Sequence, residues 1–215
     1  MKSESARTAA TPVRVREFEL VGGHPALDLV NTLDWRFRES GPEELLESYA
    51  DVVHLVEQSG LMGPGIASKL MRSANEENAA RIVSAVRELR EAAAEVLYAM
   101  VERKSPAASP MRKLEAWFHE ASAQQQLHWE SGKLAWRLPQ SPALALPFWV
   151  LSLSVEQFFT SDQMQLLRAC GAEECRWLFV DTSKNHTRRW CDMKICGNRV
   201  KARRFKAQHL ARPLR

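Results

Sequence analysis

All four cysteines of the chain lie within 27 residues, as two close pairs with the spacing Cys170-x4-Cys175-x15-Cys191-x4-Cys196. Zinc in proteins is held by four ligands in a tetrahedron, and two close pairs joined by a short fold-back supply such a set. A segment this short buries little apolar surface, so metal binding would supply folding energy on the order of 10 kcal/mol. The spacing predicts one Zn2+ per chain in a structural site, because four thiolates leave no open position for water.

Other uses of these cysteines stay open at the level of the residues. Disulfides require an oxidising compartment, whereas the N-terminal residues contain no apolar stretch typical of a secretory signal. Four core cysteines without a ligand are a second alternative, and a zinc site that loses its metal on oxidation is a third. His186 could also replace one cysteine, although no second histidine stands at ligand spacing from it.

The charge of the chain is divided unevenly between its two parts. Residues 168–215 carry 13 Lys and Arg against 4 Asp and Glu, a net charge of +9, whereas the remainder carries 17 against 22, a net charge of −5. No acidic residue follows Asp192. This division predicts a polyanionic partner for the C-terminal part.

Several of the basic residues fall on a helix predicted to follow the second cysteine pair. Arg199, Arg203 and Lys206 stand at i, i+4 and i+7, which places them on one face. A zinc-anchored helix with such a stripe can follow a phosphate backbone or enter the major groove. Asn198 and Arg199 are residue types that pair with the edges of adenine and guanine. A solvated basic tail is the alternative, and charge alone does not separate DNA from RNA. The predicted nucleic-acid contacts are Arg188, Arg189, Lys194, Asn198, Arg199, Lys201, Arg203, Arg204 and Lys206.

Three polar residues near the N-terminus, Asp28, Asn31 and Thr32, could face a ligand pocket, although an amphipathic helix produces the same spacing. Motifs of serine hydrolases, phosphate-binding loops and zinc metalloproteases are absent. His128 and Glu130 have the H-x-E spacing of zinc deaminases, but no C-x-x-C follows them. We therefore expect a binding protein and not an enzyme.

Apolar periodicity predicts a mainly α protein with small β-hairpins, of the α+β class. Residues 18–21 read as a strand, and alternating Leu and Trp at 127–129 and 134–138 predict a hairpin. The longest apolar run, residues 143–155, is too short to span a membrane. The predicted helices cover residues 26–37, 43–59, 66–73, 76–103, a stretch through 114–121, 143–159 and 162–168.

These elements predict three parts of the chain. Residues 1–14 are small and polar and are expected to be disordered. Residues 15–164 are expected to form one mainly helical domain for sensing or dimerisation. Residues 165–215 are expected to form a zinc module with a metal-binding turn, a hairpin whose second strand is 187–190, and a basic helix that begins at Cys191 and runs to about Gln208.

Two stretches around the cysteines resemble a known family. Residues 191–205 read CDMKICGNRVKARRF, and residues 175–185 read CRWLFVDTSKN. Together they resemble the CGNR-type zinc finger, which is named for the tetrapeptide at 196–199. Residues 22–32, GGHPALDLVNT, resemble the opening of the ABATE domain, which usually precedes that finger. The resemblance covers most of the chain.

The resemblance implies that the four cysteines bind zinc and that the protein is a bacterial regulator of transcription in the stress response, with DNA as its partner. We expect it to be cytoplasmic, with no membrane partner. A small-molecule effector and a homodimer are further expectations. The alternatives are a zinc-scaffolded module for RNA or protein interaction, and a small-molecule receptor or enzyme centred on the N-terminal domain.

Overall fold

The computed structural model of the chain describes residues 16–63, 65–139 and 143–210, except for the side chains of 204 and 206–210. The predicted tail at 1–14 lies outside the described residues. The described part is mainly helical, with three small antiparallel sheets of two strands each. The predicted α+β fold is therefore confirmed. In chain order the elements are α1 (Pro25–Asn31), β1 (Leu33–Asp34), β2 (Glu43–Glu44), α2 (Tyr49–Gln58), α3 (Ile66–Ser73), α4 (Glu76–Val101), α5 (Ala108–Ala123), β3 (Gln126–Glu130), β4 (Lys133–Arg137), α6 (Leu146–Phe159), a 3-10 turn (Asp162–Leu166), β5 (Leu167–Ala169), β6 (Leu178–Val180), a π-helical turn (Met193–Gly197) and α7 (Asn198–Leu210).

Helix α4 lies at the centre of the main core, because its apolar residues recur at helical spacing. Val86, Leu89, Ala93 and Leu97 of this stripe are fully buried. Helices α1, α2, α5 and α6 all pack against α4. The helix begins after Asn75, whose side-chain oxygen accepts a hydrogen bond from the backbone N–H of residue 78.

Two predictions at the start of the chain are wrong. Residues 18–21 form no strand, because the N–H and C=O of Phe18 bond the side chain of Gln58 at 3.0 and 2.8 Å. The helix predicted over 26–37 ends at Asn31, and the next residues form β1, which pairs with β2. Polar contacts with residues distant in the sequence therefore override the apolar periodicity in this region.

The helix predicted over 43–59 begins late, at Tyr49. Ser48 and Asp51 form a capping box, in which each side chain accepts a hydrogen bond from the other residue's backbone N–H. Residues 43–44 are held instead as β2, because Glu44 accepts hydrogen bonds at 2.6 and 2.7 Å from both terminal nitrogens of the buried Arg90. Only 3% of the surface of Arg90 is exposed.

The hairpin β3–β4 is confirmed, with five paired positions on each strand. Its turn consists of Ser131 and Gly132, whose φ angles are 48° and 84°. Two consecutive positive φ angles are the geometry of a tight turn that matches the twist of a hairpin, and glycine tolerates such an angle without strain.

Strand β6 separates the main core from a second, smaller core. Leu178 and Val180 point into the main core, whereas Phe179 and its neighbour Trp177 pack with the cysteines. Successive side chains of a strand point to opposite faces, so one three-residue strand contributes to both cores. This shared strand therefore attaches the zinc module to the helical domain.

Candidate metal centre and nucleic-acid interface

The four cysteines converge into one buried cluster. Their sulfur atoms all lie within 4.8 Å of one another, with Cys175 Sγ 3.8 Å from Cys191 Sγ and Cys191 Sγ 3.6 Å from Cys196 Sγ. A tetrahedron of thiolates around zinc has sulfur separations of about 3.8 Å. No disulfide joins the four thiols, and the two sulfur separations far exceed a bond of about 2.05 Å. The arrangement of the described residues therefore fits a single tetrahedral metal ion.

The first cysteine pair stands on the turn between β5 and β6. Cys170 follows β5 directly, and its N–H donates to the carbonyl of Trp177 at 2.8 Å. The N–H of Cys175 donates to the carbonyl of Ala172 at 3.0 Å, which closes the turn. Arg176 has a φ of 55° and redirects the chain into β6. Backbone hydrogen bonds thus hold both cysteines of this pair within the turn.

The second pair is positioned by the π-helical turn, and the basic helix begins later than predicted. The Asp192 carboxylate accepts hydrogen bonds from the N–H groups of Lys194 and Ile195 at 2.6 and 2.9 Å. The Asp192 carbonyl accepts one from Cys196 at 3.0 Å. The turn takes up residues 193–197, so α7 begins only at Asn198.

Gly197 is closely surrounded in this turn. A Cβ atom at that position would lie 2.3 Å from Met193 Sδ and 3.2 Å from Cδ1 of Trp190. Met193 is exposed, so its side chain would have to move, whereas Trp190 packs against the cysteine cluster and would be crowded by a side chain after Cys196. This contact explains in physical terms why glycine follows the fourth cysteine.

The segment after β6 is a loop and not the predicted returning strand at 187–190. Strand β6 pairs with β5 instead, with Leu167 opposite Val180. Asp181 is fully buried and organises the loop, since its carboxylate accepts hydrogen bonds from the N–H groups of Ser183 and Arg188 at 3.0 and 2.9 Å. His186 Nδ1 lies 2.9 Å from the carbonyl of Asp181, which places His186 in this loop and outside the cysteine cluster.

Arg188 is engaged inside the zinc module. Its guanidinium donates to the carbonyl of Trp190 at 2.9 Å and also to the carbonyl of Cys191. The guanidinium carbon lies 4.4 Å from the ring centroid of Phe179. These contacts give Arg188 a structural role, and its predicted contact with nucleic acid stays a prediction.

Two arginines of the predicted stripe also contact the chain itself. The guanidinium of Arg199 lies over the ring of Trp35, 4.4 Å from its centroid, and so joins α7 to the helical domain. Arg203 forms an exposed ion pair with Glu174 at 2.8 Å, a kind of contact that is weak and easily exchanged. The side chains of Arg204 and Lys206, further along the helix, lie outside the described residues.

A different basic stripe faces solvent. Lys194, Asn198 and Lys201 are exposed; Asn198 and Lys201 stand at i and i+3 on α7, which places them on one face of that helix, and Lys194 lies on the π-helical turn directly before it. Within the described part of the chain, none of these three side chains takes part in a hydrogen bond or an ion pair. Arg189 is also exposed, with its guanidinium 5.3 Å from the ring centroid of Trp190. These four residues are the predicted contacts that the structure leaves available to a partner.

The three residues predicted to face a pocket lie at the junction of the two cores. The Asn31 side chain accepts a hydrogen bond from the N–H of Leu178 at 2.9 Å and donates one to its C=O at 3.0 Å. Thr32 Oγ1 donates to the carbonyl of Leu29 at 2.6 Å. Asp28 accepts a hydrogen bond from the N–H of Gly22 at 2.8 Å. All three contacts are internal, so a ligand role for these side chains stays a prediction without support from their contacts.

Burial shifts the acidity of Asp28. Loss of solvation raises the pKa of this carboxyl to about 6, although the hydrogen bond from the N–H of Gly22 opposes the shift. The carbonyl of Gly22 in turn accepts a hydrogen bond from Val180 at 2.8 Å, and Tyr98 Oη donates to the carbonyl of Arg176 at 3.0 Å. The zinc module is thus joined to the helical domain by several buried hydrogen bonds.

A cleft of about 820 Å3 lies between α4, α5 and α6, away from the residues predicted to face a pocket. We call it the α4–α6 cleft. This cleft could not be predicted from the sequence, because its lining comes from several helices that meet only in the fold. Its apolar lining includes Met100, Met111, Phe118, Phe159 and Met164, and its polar lining includes Arg103, Glu115, His119 and Glu156.

None of the helices in the described ranges combines the length and the apolar character needed to cross a membrane.

Comparison with known proteins agrees with the division into two cores. The model of the CGNR zinc finger matches residues 167–209, and that of the ABATE family, described as "Putative stress-induced transcription regulator", matches residues 23–162. No curated protein matches the chain significantly. The cysteine cluster within the CGNR match forms one structural zinc site per chain, with the four thiolates as its ligands. The chain belongs to the ABATE family and ends in a CGNR zinc finger.

Proposed function

We propose that the protein is a cytoplasmic, DNA-binding regulator of transcription in a bacterial stress response, and that its zinc module contacts the DNA. The observation that carries this proposal is the exposed stripe of Lys194, Asn198 and Lys201 on the zinc-anchored turn and helix. Two ammonium groups can neutralise phosphates, and an amide between them can pair with a base edge.

Zinc coordination would hold the turn and the start of the helix that carry this stripe in a fixed position. Cys196 is a ligand at the end of the π-helical turn, and α7 begins two residues later, at Asn198. A helix held by a metal ligand two residues before its start presents its side chains with little loss of conformational freedom on binding. The zinc itself would contribute folding energy and no catalysis, since four thiolates fill its coordination. In this proposal the protein acts by binding and is not an enzyme.

The helical domain would carry the signal to the DNA-binding module. Arg199 stacks on Trp35 of that domain, and Asn31 binds both polar backbone groups of Leu178 in the strand between the cysteine pairs. A change in the helical domain can therefore reach the start of α7 through direct contacts.

Binding of labelled mixed-sequence duplex DNA by the full, zinc-loaded chain tests this proposal. The double variant Lys194→Ala/Lys201→Ala should bind at least tenfold more weakly, and the slope of log K against log[salt] should fall by about 1.8 in magnitude. The control Lys69→Ala/Lys113→Ala removes the same charge from exposed positions of the helical domain and should bind like the natural chain. Equal affinities for both double variants would contradict the proposal, and preference for single-stranded RNA would support an RNA-interaction module instead.

A small-molecule receptor is a second candidate function, because the α4–α6 cleft has a volume typical of ligand sites. Methionine side chains adapt to varied apolar ligands, and Met164 of the lining precedes β5, the strand that leads to Cys170. A mainly apolar effector would fit this lining. Met111→Trp, which narrows the cleft, should abolish binding of a fluorescent apolar dye, whereas Met71→Trp on α3 should not. Unchanged dye binding by Met111→Trp would remove the cleft as the receptor site.

A further inference from the structure

One face of the hairpin β3–β4 is entirely apolar. Cross-strand pairing places Leu127 opposite Trp136 and Trp129 opposite Leu134, and opposed side chains share one face of a sheet. Their residues expose 52, 59, 71 and 63% of their surface, in the order named. Soluble chains rarely leave two tryptophans and two leucines side by side in water, and such patches mark interaction surfaces.

The stability of the hairpin itself does not explain why one of its faces is apolar. An isolated two-stranded hairpin is marginally stable in water. Its other face is polar and also exposed, and Arg137 donates two hydrogen bonds to Glu130 there, at 3.0 and 2.7 Å. The described part of the chain thus leaves the apolar face largely uncovered, although this face carries the largest side chains of the hairpin.

We propose that this face, formed by Leu127, Trp129, Leu134 and Trp136, is the interface through which two copies of the chain form a homodimer. The four side chains expose roughly 500 Å2 per chain. Two such faces in contact would remove about 1,000 Å2 from water, which reaches the lower range of specific protein interfaces. Tryptophan is the residue type most often found to carry binding energy in such interfaces.

The absence of charge on this face favours a second copy over a nucleic acid. A polyanion requires basic side chains, and the basic residues of the hairpin, Lys133 and Arg137, occupy the polar face. A two-fold axis brings a patch against itself, which suits an uncharged apolar patch because no like charges meet. The dimer would bring two zinc modules into one assembly, but the inference does not depend on DNA binding.

Sedimentation velocity of the full, zinc-loaded chain over a wide concentration range tests the proposal without DNA. The natural chain should shift from the mass of one chain to that of two as its concentration rises. Trp129→Glu, which places a carboxylate at the centre of the face, should raise the concentration of half-dimerisation at least tenfold. His128→Ser, on the polar face of the same strand, should leave it unchanged.

Hydrogen exchange keeps the test valid where Trp129→Glu perturbs the hairpin. In the natural chain, amides of residues 126–137 should become more protected as the concentration rises, because dimerisation covers the hairpin. A single-chain mass at every concentration would overturn the proposal. A dimer in which hairpin protection does not change with concentration would overturn it as well.

Discussion

Removal of the Asn31 side chain tests the junction between the helical domain and the zinc module. The amide group of Asn31 makes two hydrogen bonds, at 2.9 and 3.0 Å, to the N–H and C=O of Leu178, and both residues are buried. Asn31→Ala leaves both backbone groups buried without partners. Each unsatisfied group costs about 1–3 kcal/mol, so the free energy of unfolding should fall by about 2–6 kcal/mol.

Urea unfolding of the zinc-loaded full chain, followed by circular dichroism, measures this loss. Asn198→Ala is the matched control, because it removes the same amide from an exposed position and should change the free energy of unfolding by less than about 0.5 kcal/mol. Asn31→Asp keeps an acceptor for the N–H of Leu178 but loses the donor, so it should destabilise the protein as well. A loss below about 0.5 kcal/mol for Asn31→Ala would refute the view that this contact holds the module in place.

Three further predictions concern the metal site and one buried carboxyl. Cys191→Ser should abolish stoichiometric zinc binding and unfold the module, and a folded, zinc-loaded variant would refute the four-ligand assignment. Gly197→Ala should lower zinc affinity, as measured by chelator competition, because its Cβ would lie 2.3 Å from Met193 Sδ; unchanged affinity would show that the turn can rearrange. Asp28 has a folded pKa of about 6 against an ordinary 3.8, so its contribution to stability is present at low pH and is lost as the pH rises through 6. Between pH 5 and pH 8 the natural chain should therefore lose about 1.4 kcal/mol of unfolding free energy relative to Asp28→Asn, and parallel pH profiles would contradict this pKa.

The sequence predicts the elements that depend on local patterns. Helix α3 has the predicted bounds, α4 begins at the predicted residue, and each strand of the hairpin β3–β4 lies within one residue of its predicted bounds. The errors fall where distant contacts decide the structure. Glu44 is drawn into β2 by Arg90, which lies 46 residues away, and no periodicity in residues 43–59 signals that partner.

In the candidate site, too, local sequence patterns predict some residues correctly, and contacts distant in the sequence decide the others. The four cysteines could be assigned from spacing, because zinc coordination imposes ligand types and numbers that a sequence records. The roles of the basic residues could not be assigned, because a helical stripe does not tell which side faces the protein. Arg199 lies against Trp35, a residue more than 160 positions earlier, whereas Lys194 and Lys201 on another face are exposed.

Capture of fragmented genomic DNA by the zinc-loaded full chain, with sequencing of the bound fragments at several salt concentrations, tests whether the zinc module binds DNA in a sequence-specific way. We expect discrete fragments that persist at physiological salt and disappear for Lys194→Ala/Lys201→Ala. Uniform capture of all fragments that collapses steeply with added salt would contradict it, because the basic residues of the module would then bind phosphates without reading sequence.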